Sequence, residues 1–201
     1  MRALDTPNSI MANQKERWNQ ILELDKRGSI SLLIEELECF VKNYSDSKSG
    51  WLWLGIELTH IARYSDARIA IDRAIKLCKP DSRSIPYLHK GSLYRAKGEL
   101  KKSELWFKKS IEIDPNNGDA WIFLGALLAK SGKYVEAKDA QRKAIKLNNA
   151  ATDEAHLNLA LVLRAEKRYK SALKHIEKAL KIDPEYQKAK VVRNDLLEVI
   201  R

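Results

Sequence analysis

Four histidines, two cysteines and one run of carboxylates are the side chains of this sequence best suited to bind a metal, attack an electrophile or move a proton. His60, His89, His156 and His175 fall in four separate stretches. Neither an HExxH nor an HxxxH spacing sets two imidazoles on one helix face for zinc. Cys39 and Cys78 stand in separate amphipathic segments without CxxC spacing, so they read as small buried or half-buried thiols. Glu35, Glu36 and Glu38 invite an acid/base reading, but carboxylates one and three apart on an amphipathic stretch more often form a solvated face. No GxSxG turn offers an activated serine. Gly132-Lys133 lacks both the earlier glycine and the following Ser/Thr of a phosphate-binding loop. The expectation is a chain that is no enzyme and uses no cofactor and no metal.

Composition narrows the class. With 44% apolar and 32% charged residues in 201, the chain is expected to be globular. No apolar stretch approaches the roughly 18 residues of a membrane span, and the opening MRALDTPNSI lacks the apolar run of a secretory signal. A cytoplasmic protein without a membrane association is expected. Lys and Arg number 37 against 27 Asp and Glu, a net charge of +10 that favours acidic partners of any kind.

The elements that position these residues repeat. WLWLGIELTHIARYSDA (51–67) and WIFLGALLAKSGKYVEA (121–137) share a skeleton of Trp, Leu, Gly, Leu, Tyr and Ala while most residues between them differ. Segments begin near Gln14, Lys48, Ser84, Gly118 and Asp153, at spacings of 34, 36, 34 and 35 residues. Within each, apolar residues recur three and four apart, stop at a turn and resume, which predicts two helices. Gly28, Gly98 and Gly132 mark turns, and Pro80, Pro115 and Pro184 mark the ends of second helices. Gly55, Gly91, Gly125 and Ala160 share a column of the first helices, while Ala67, Ser103, Ala137 and Ala172 share one of the second. Small side chains there predict close helix approach. A lone hairpin leaves a flank uncovered, so stacking in series is expected.

The pattern W-x2-L-G-x2-[Y/L], then Y-x2-A, then A-x4 to 5-P resembles the tetratricopeptide repeat (TPR) family. It covers residues 48–186 well and thins in 14–47, where Arg17 or Trp18 serves as the first aromatic and Ser45 stands where proline is usual; Asn149 replaces the proline of the fourth repeat. The resemblance implies an all-α fold, a right-handed α-solenoid of tandem helix-turn-helix repeats. The expected organisation is a flexible tail (1–13), a degenerate repeat (14–47), four repeats (48–83, 84–117, 118–152 and 153–186) and a capping helix (187–201), forming one solenoid domain. On the capping helix, Ala189, Val192, Leu196 and Val199 form the packing stripe.

The resemblance further implies that the first helices line a concave groove for a partner peptide. Carried over column by column, the lining is Leu52, Leu88, Ile122 and Leu157; Trp53, His89, Phe123 and Asn158; and Ile56, Ser92, Ala126 and Leu161; with Arg95, Lys130 and Arg164 farther along. The Lys and Asn with which one subset of the family grips a chaperone's C-terminal carboxylate are absent, since Leu52 with Ile56, Leu88 with Ser92, and Ile122 with Ala126 hold those slots. An apolar groove with a basic border suits a protein or peptide segment that has apolar anchors flanked by acidic residues. Three alternatives stand beside it. The groove is covered by residues 1–13 or by a second copy of the chain; the lysines of GELKKSELWFKKS bind RNA or DNA; or the incomplete first repeat drives self-association.

Overall fold

A computed structural model describes residues 7–147 and 149–201, with side chains from residue 13 onward. Among the described residues the chain is all helical, with one 3-10 turn at Pro80–Ser82 and no strand. The helices are α1 (Pro7–Lys26), α2 (Ile30–Asn43), α3 (Lys48–His60), α4 (Tyr64–Leu77), α5 (Ser84–Ala96), α6 (Leu100–Ile113), α7 (Gly118–Lys130), α8 (Tyr134–Leu147), α9 (Thr152–Ala165), α10 (Tyr169–Ile182) and α11 (Gln187–Ile200). They fall into two compact units, residues 1–80 and 81–201, where repeat spacing alone had pointed to one domain. The first unit holds hairpins α1/α2 and α3/α4; the second holds α5/α6, α7/α8 and α9/α10, closed by α11.

Local chemistry sets the helix boundaries. The Ser47 hydroxyl accepts the Gly50 amide at 3.2 Å, and Asn117 Oδ1 accepts that of Ala120 at 3.0 Å, so α3 and α7 start on side chains that satisfy an otherwise unpaired first-turn N–H. Pro115 and Pro184 stand two residues beyond the last helical residues, Ile113 and Ile182, where a missing amide stops the helix.

All five hairpins turn in the same way. A residue with positive φ lies two positions before each second helix: Gly28 (72°), Ala62 (62°), Gly98 (81°), Gly132 (76°) and Lys167 (59°). In four of the turns the next amide then bonds a carbonyl five residues back, as Glu99 does to Tyr94 and Arg168 to Leu163, both at 2.9 Å. Glycine is therefore replaced by alanine and lysine in two turns, at the strain an L side chain carries in that region.

Helix contact within each hairpin runs through the small columns. A Cβ built on Gly55 would lie 2.5 Å from Ile71 Cγ1, and one on Gly91 only 2.4 Å from the Phe107 ring. In the third hairpin of this kind the obstacle is polar: a Cβ on Gly125 would meet Gln141 Nε2 at 2.4 Å. Gln141 is fully buried and donates to the Ile122 carbonyl at 3.0 Å, while its Oε1 has no partner among the described residues. Opposite Ala160, Ala172 and Ile176 are fully buried. Ser103 sits in the same register as Ala67, Ala137 and Ala172 and bonds its hydroxyl to the Gly91 carbonyl at 2.8 Å, which keeps a buried hydroxyl satisfied.

In the second unit, among the described residues, α7 packs on both α5 and α9, and more closely than α6 does on α8 or α8 on α10. The row of first helices is thus the tighter side of this unit. At its end α11 packs on α10 through Ala189 and Leu196, both fully buried, with Val192 half-buried.

Two expectations change. Helix α1 begins at Pro7, so residues 7–13, read as part of a flexible tail, are its first turns; the rest of that tail, residues 1–6, lies outside the described residues. Proline is compatible with a first turn, whose amides have no helical acceptor. On α11, Val199 is 57% exposed and so stands outside the packing stripe, whereas Ile200 is half-buried. Eleven residues from Ala189 complete three turns at 3.6 per turn more closely than ten do.

Two substitutions test this packing. Gly125→Leu, and Gly91→Ala against the rigid Phe107 ring, are each expected to destabilise by about 1–3 kcal/mol. Lys167→Gly is expected to stabilise by about 0.5–1 kcal/mol, the αL strain relieved less the added chain entropy. Urea unfolding midpoints measure all three.

Candidate functional site

The tight side of the second unit presents α5, α7 and α9, and with them most of the side chains anticipated for a groove. One column belongs to the core instead: Leu88, Ile122 and Leu157 are 5%, 1% and 4% exposed, Leu88 packing with Phe107 and Leu124, Ile122 with Ala144 and Ala155, and Leu157 with Ala160 and Ala189. These three are wedged between consecutive hairpins of the second unit and have no face left for a ligand. The next two columns, His89, Phe123 and Asn158, then Ser92, Ala126 and Leu161, are half-buried.

Charge borders this surface unevenly. The Arg95 guanidinium of α5 lies over the Phe123 ring of α7, 4.9 Å from its centroid. Burial pulls the Arg95 pKa down, with Glu154 of α9 partly offsetting it. Arg164 of α9 is bound to Asp195 of α11 at 3.2 Å, and Lys130 is exposed. Asn158 Nδ2 is buried with no hydrogen-bond partner among the described residues.

Leu52, Trp53 and Ile56 belong to α3 of the first unit and are half-buried. The Trp53 indole N–H donates to Glu57 Oε1 at 3.1 Å, and its ring meets Trp18 of α1 edge-on at 5.4 Å. Trp18 also packs on Phe40 at 5.2 Å. Part of Trp53 is therefore covered from within the chain, by α1 at Trp18.

Three of the four stripe lysines of α6 are engaged internally, while Lys101 is exposed. Glu104 takes Lys108 and Lys133 at 2.7 and 2.9 Å, Glu99 takes Lys97 and Lys102 at 2.7 and 2.5 Å, and Lys109 lies over the Trp106 ring. These pairs hold Glu99 and Glu104 below the usual carboxylate range, mainly through hydrogen bonds from the lysines.

Sequence spacing missed one constellation. His156 of α9 and His175 of α10, 19 residues apart, bring their Nδ1 atoms to 2.9 Å, so one ring donates and the other accepts. His156 stands in the aromatic slot of Trp51, Tyr87 and Trp121, and His175 in the register of Trp106; the Tyr87 and Trp106 rings form the same contact at 5.2 Å. The signal was in the repeat columns, not in any metal-ligand spacing. Burial lowers the pKa of both rings, that of His175 to about 4, with Lys178 of α10 and Arg142 of α8 adding to the effect. Among the described residues no three potential metal ligands cluster, and no helix is long and apolar enough to cross a membrane.

Comparison with known proteins follows the same columns. Residues 86–117, 106–139 and 153–186 match models described as tetratricopeptide repeat. A TPR repeat-containing protein of Methanocaldococcus jannaschii is 29% identical over 136 residues, 66% of this chain; the chain spans only 22% of that relative. A thermophilic TPR protein of Thermus thermophilus superposes with a TM-score of 0.76 at 17% identity, over 92% of this chain and 98% of its own. YrrB, described as a TPR protein with an unusual peptide-binding site, does so with a TM-score of 0.63 at 14% identity, over 92% and 98%.

A pH test isolates the imidazole pair. With a folded pKa of about 4 against an ordinary 6.5, His175 binds fewer protons folded than unfolded between those values. Its contribution is complete above pH 6.5 and is lost as pH falls towards 4. The Tm of the wild type is expected to fall more between pH 7.5 and 4.5 than that of His156→Tyr/His175→Trp, which restores the rings of the α5/α6 hairpin; differential scanning calorimetry reads the difference.

Proposed function

Because the chain belongs to the tetratricopeptide repeat family, we propose that it is a non-enzymatic adaptor whose first helices take up a segment of a partner protein. The segment carries apolar anchors with acidic residues beside them. The observation that carries this reading is the Arg95–Phe123 stack: a half-buried ring topped by a partly desolvated guanidinium, beside Ala126, Leu161 and Ser92. Arg95 has already lost much of its hydration, so a carboxylate arriving there gains a charge-assisted hydrogen bond at a smaller desolvation cost. Leu52, Trp53 and Ile56 supply the corresponding face of the first unit. The description of YrrB as having a peptide-binding site is in keeping with this reading.

Nucleic acid is the weaker alternative on physical grounds. A phosphate track needs lysines free to exchange counterions, and Lys102, Lys108 and Lys109 of α6 are engaged by Glu99, Glu104 and Trp106.

Selection from displayed random 12-residue peptides on the whole chain is expected to enrich Leu, Phe or Trp next to Asp or Glu. For a selected peptide, Phe123→Ser and Leu161→Ser are each expected to weaken binding about tenfold or more, or 1.4 kcal/mol. Arg95→Gln is expected to flatten its salt dependence. Unchanged affinity in folded Phe123→Ser and Leu161→Ser variants rules the groove out, and a scattering mass well above 23.0 kDa points to self-association instead.

A further inference from the structure

The imidazole pair lies among positive charges that no established feature of the chain uses. Lys109, Lys143 and Lys178 occupy one register of α6, α8 and α10. In the first two hairpins that lysine sits over a neutral indole, 4.4 Å from the Trp106 ring and 4.2 Å from that of Trp121, an attraction between a cation and an electron-rich face. In the α9/α10 hairpin the indoles are gone, and Lys178, in the same register, acts electrostatically on His156 and His175. Arg142 of α8 acts on His175 as well. Its guanidinium is tied on one side to Asp139, a turn earlier, at 3.2 Å. The charges that act on the pair, Lys178 and Arg142, are both positive, and the carboxylates in the first turn of α9, Asp153 and Glu154, act on Tyr186.

Two facing imidazoles first suggest a transition metal. The surrounding charge argues the other way, because a metal would add positive charge beside a lysine and an arginine and would lack a third ligand among the described residues. A tetrahedral oxyanion meets the opposite conditions. Lys178 and Arg142 supply charge-assisted donors, and each imidazole becomes a donor once protonated.

We propose that His156, His175, Lys178 and Arg142 form a binding site for a phosphate group, and that filling it draws a proton onto the imidazole pair. The Nδ1–Nδ1 hydrogen bond of the empty site holds a single proton between two nitrogens. A doubly charged anion reverses the local field, so the second proton is bound from solvent and the pair opens around the oxyanion. The site is on α8, α9 and α10 and does not depend on the groove reading.

Imidazole resonances of the whole chain, followed from pH 3.5 to 8 in chloride, sulfate and inorganic phosphate at equal ionic strength, test this directly. Sulfate stays doubly charged throughout and separates anion binding from titration of phosphate itself. The His175 midpoint, about 4 in chloride, is expected to rise by about one unit or more in either oxyanion, tenfold in proton affinity. Arg142→Gln/Lys178→Gln is expected to remove the rise, and His156→Tyr/His175→Trp to remove phosphate binding by calorimetry without loss of fold. Equal midpoints in chloride and sulfate overturn the proposal, as does a rise that survives in the Arg142/Lys178 variant. A parallel titration with O-phosphoserine separates the sources: tighter binding than inorganic phosphate assigns the site to a phosphate ester, and equal or weaker binding to the free ion.

Discussion

The structure depends on how closely the two helices of each hairpin approach. Gly55 against Ile71, Gly91 against Phe107, Gly125 against Gln141 and Ala160 across from Ala172 leave no room for another carbon, and each close approach sets the position at which a second helix lies on its first. Once that separation is set, the larger side chains of one hairpin can reach the next, and Leu88, Ile122 and Leu157 are taken up between them. Burial of this kind is cumulative, since each hairpin covers a flank its predecessor cannot cover alone.

The same geometry governs what is left for binding. Three adjacent first helices in the second unit share a surface on which half-buried side chains alternate with core ones, so the available chemistry comes from two columns out of three. Charges on that surface are partly spent within the chain. Arg164 holds α11 through Asp195, while Arg95 lies over the Phe123 ring, where a guanidinium keeps its charge and loses water. On α6 and α8, Lys102, Lys108, Lys109 and Lys143 are engaged by glutamates and indoles, so part of the net charge is already matched within the chain.

Repetition also shows where one hairpin departs from its neighbours. The aromatic slot carries Trp51, Tyr87 and Trp121 and then His156; the facing register carries Trp106 in one hairpin and His175 in another. A repeat keeps its backbone while exchanging a Tyr–Trp ring pair for two smaller, titratable rings, because the helices around them are positioned by other residues. Burial lowers the pKa of both imidazoles, and the retained lysine, favourable beside an indole, becomes unfavourable beside an imidazolium and adds to that effect.

The helical hairpins, their turns and the small columns were legible in the sequence because each rests on local or periodic chemistry: glycines where φ is positive, prolines beyond a helix end, and apolar residues three and four apart. Even so, Ala62 and Lys167 adopt the same turn without glycine, since the hydrogen bond across the turn outweighs the strain. Tertiary structure decided what periodicity cannot encode, namely which neighbour each side chain meets. It placed Leu88, Ile122 and Leu157 in the core, laid Arg95 over Phe123, and joined two histidines that linear spacing had kept apart. Those outcomes depend on distances between helices, set by packing over the whole row, and no stretch of chain carries that information alone.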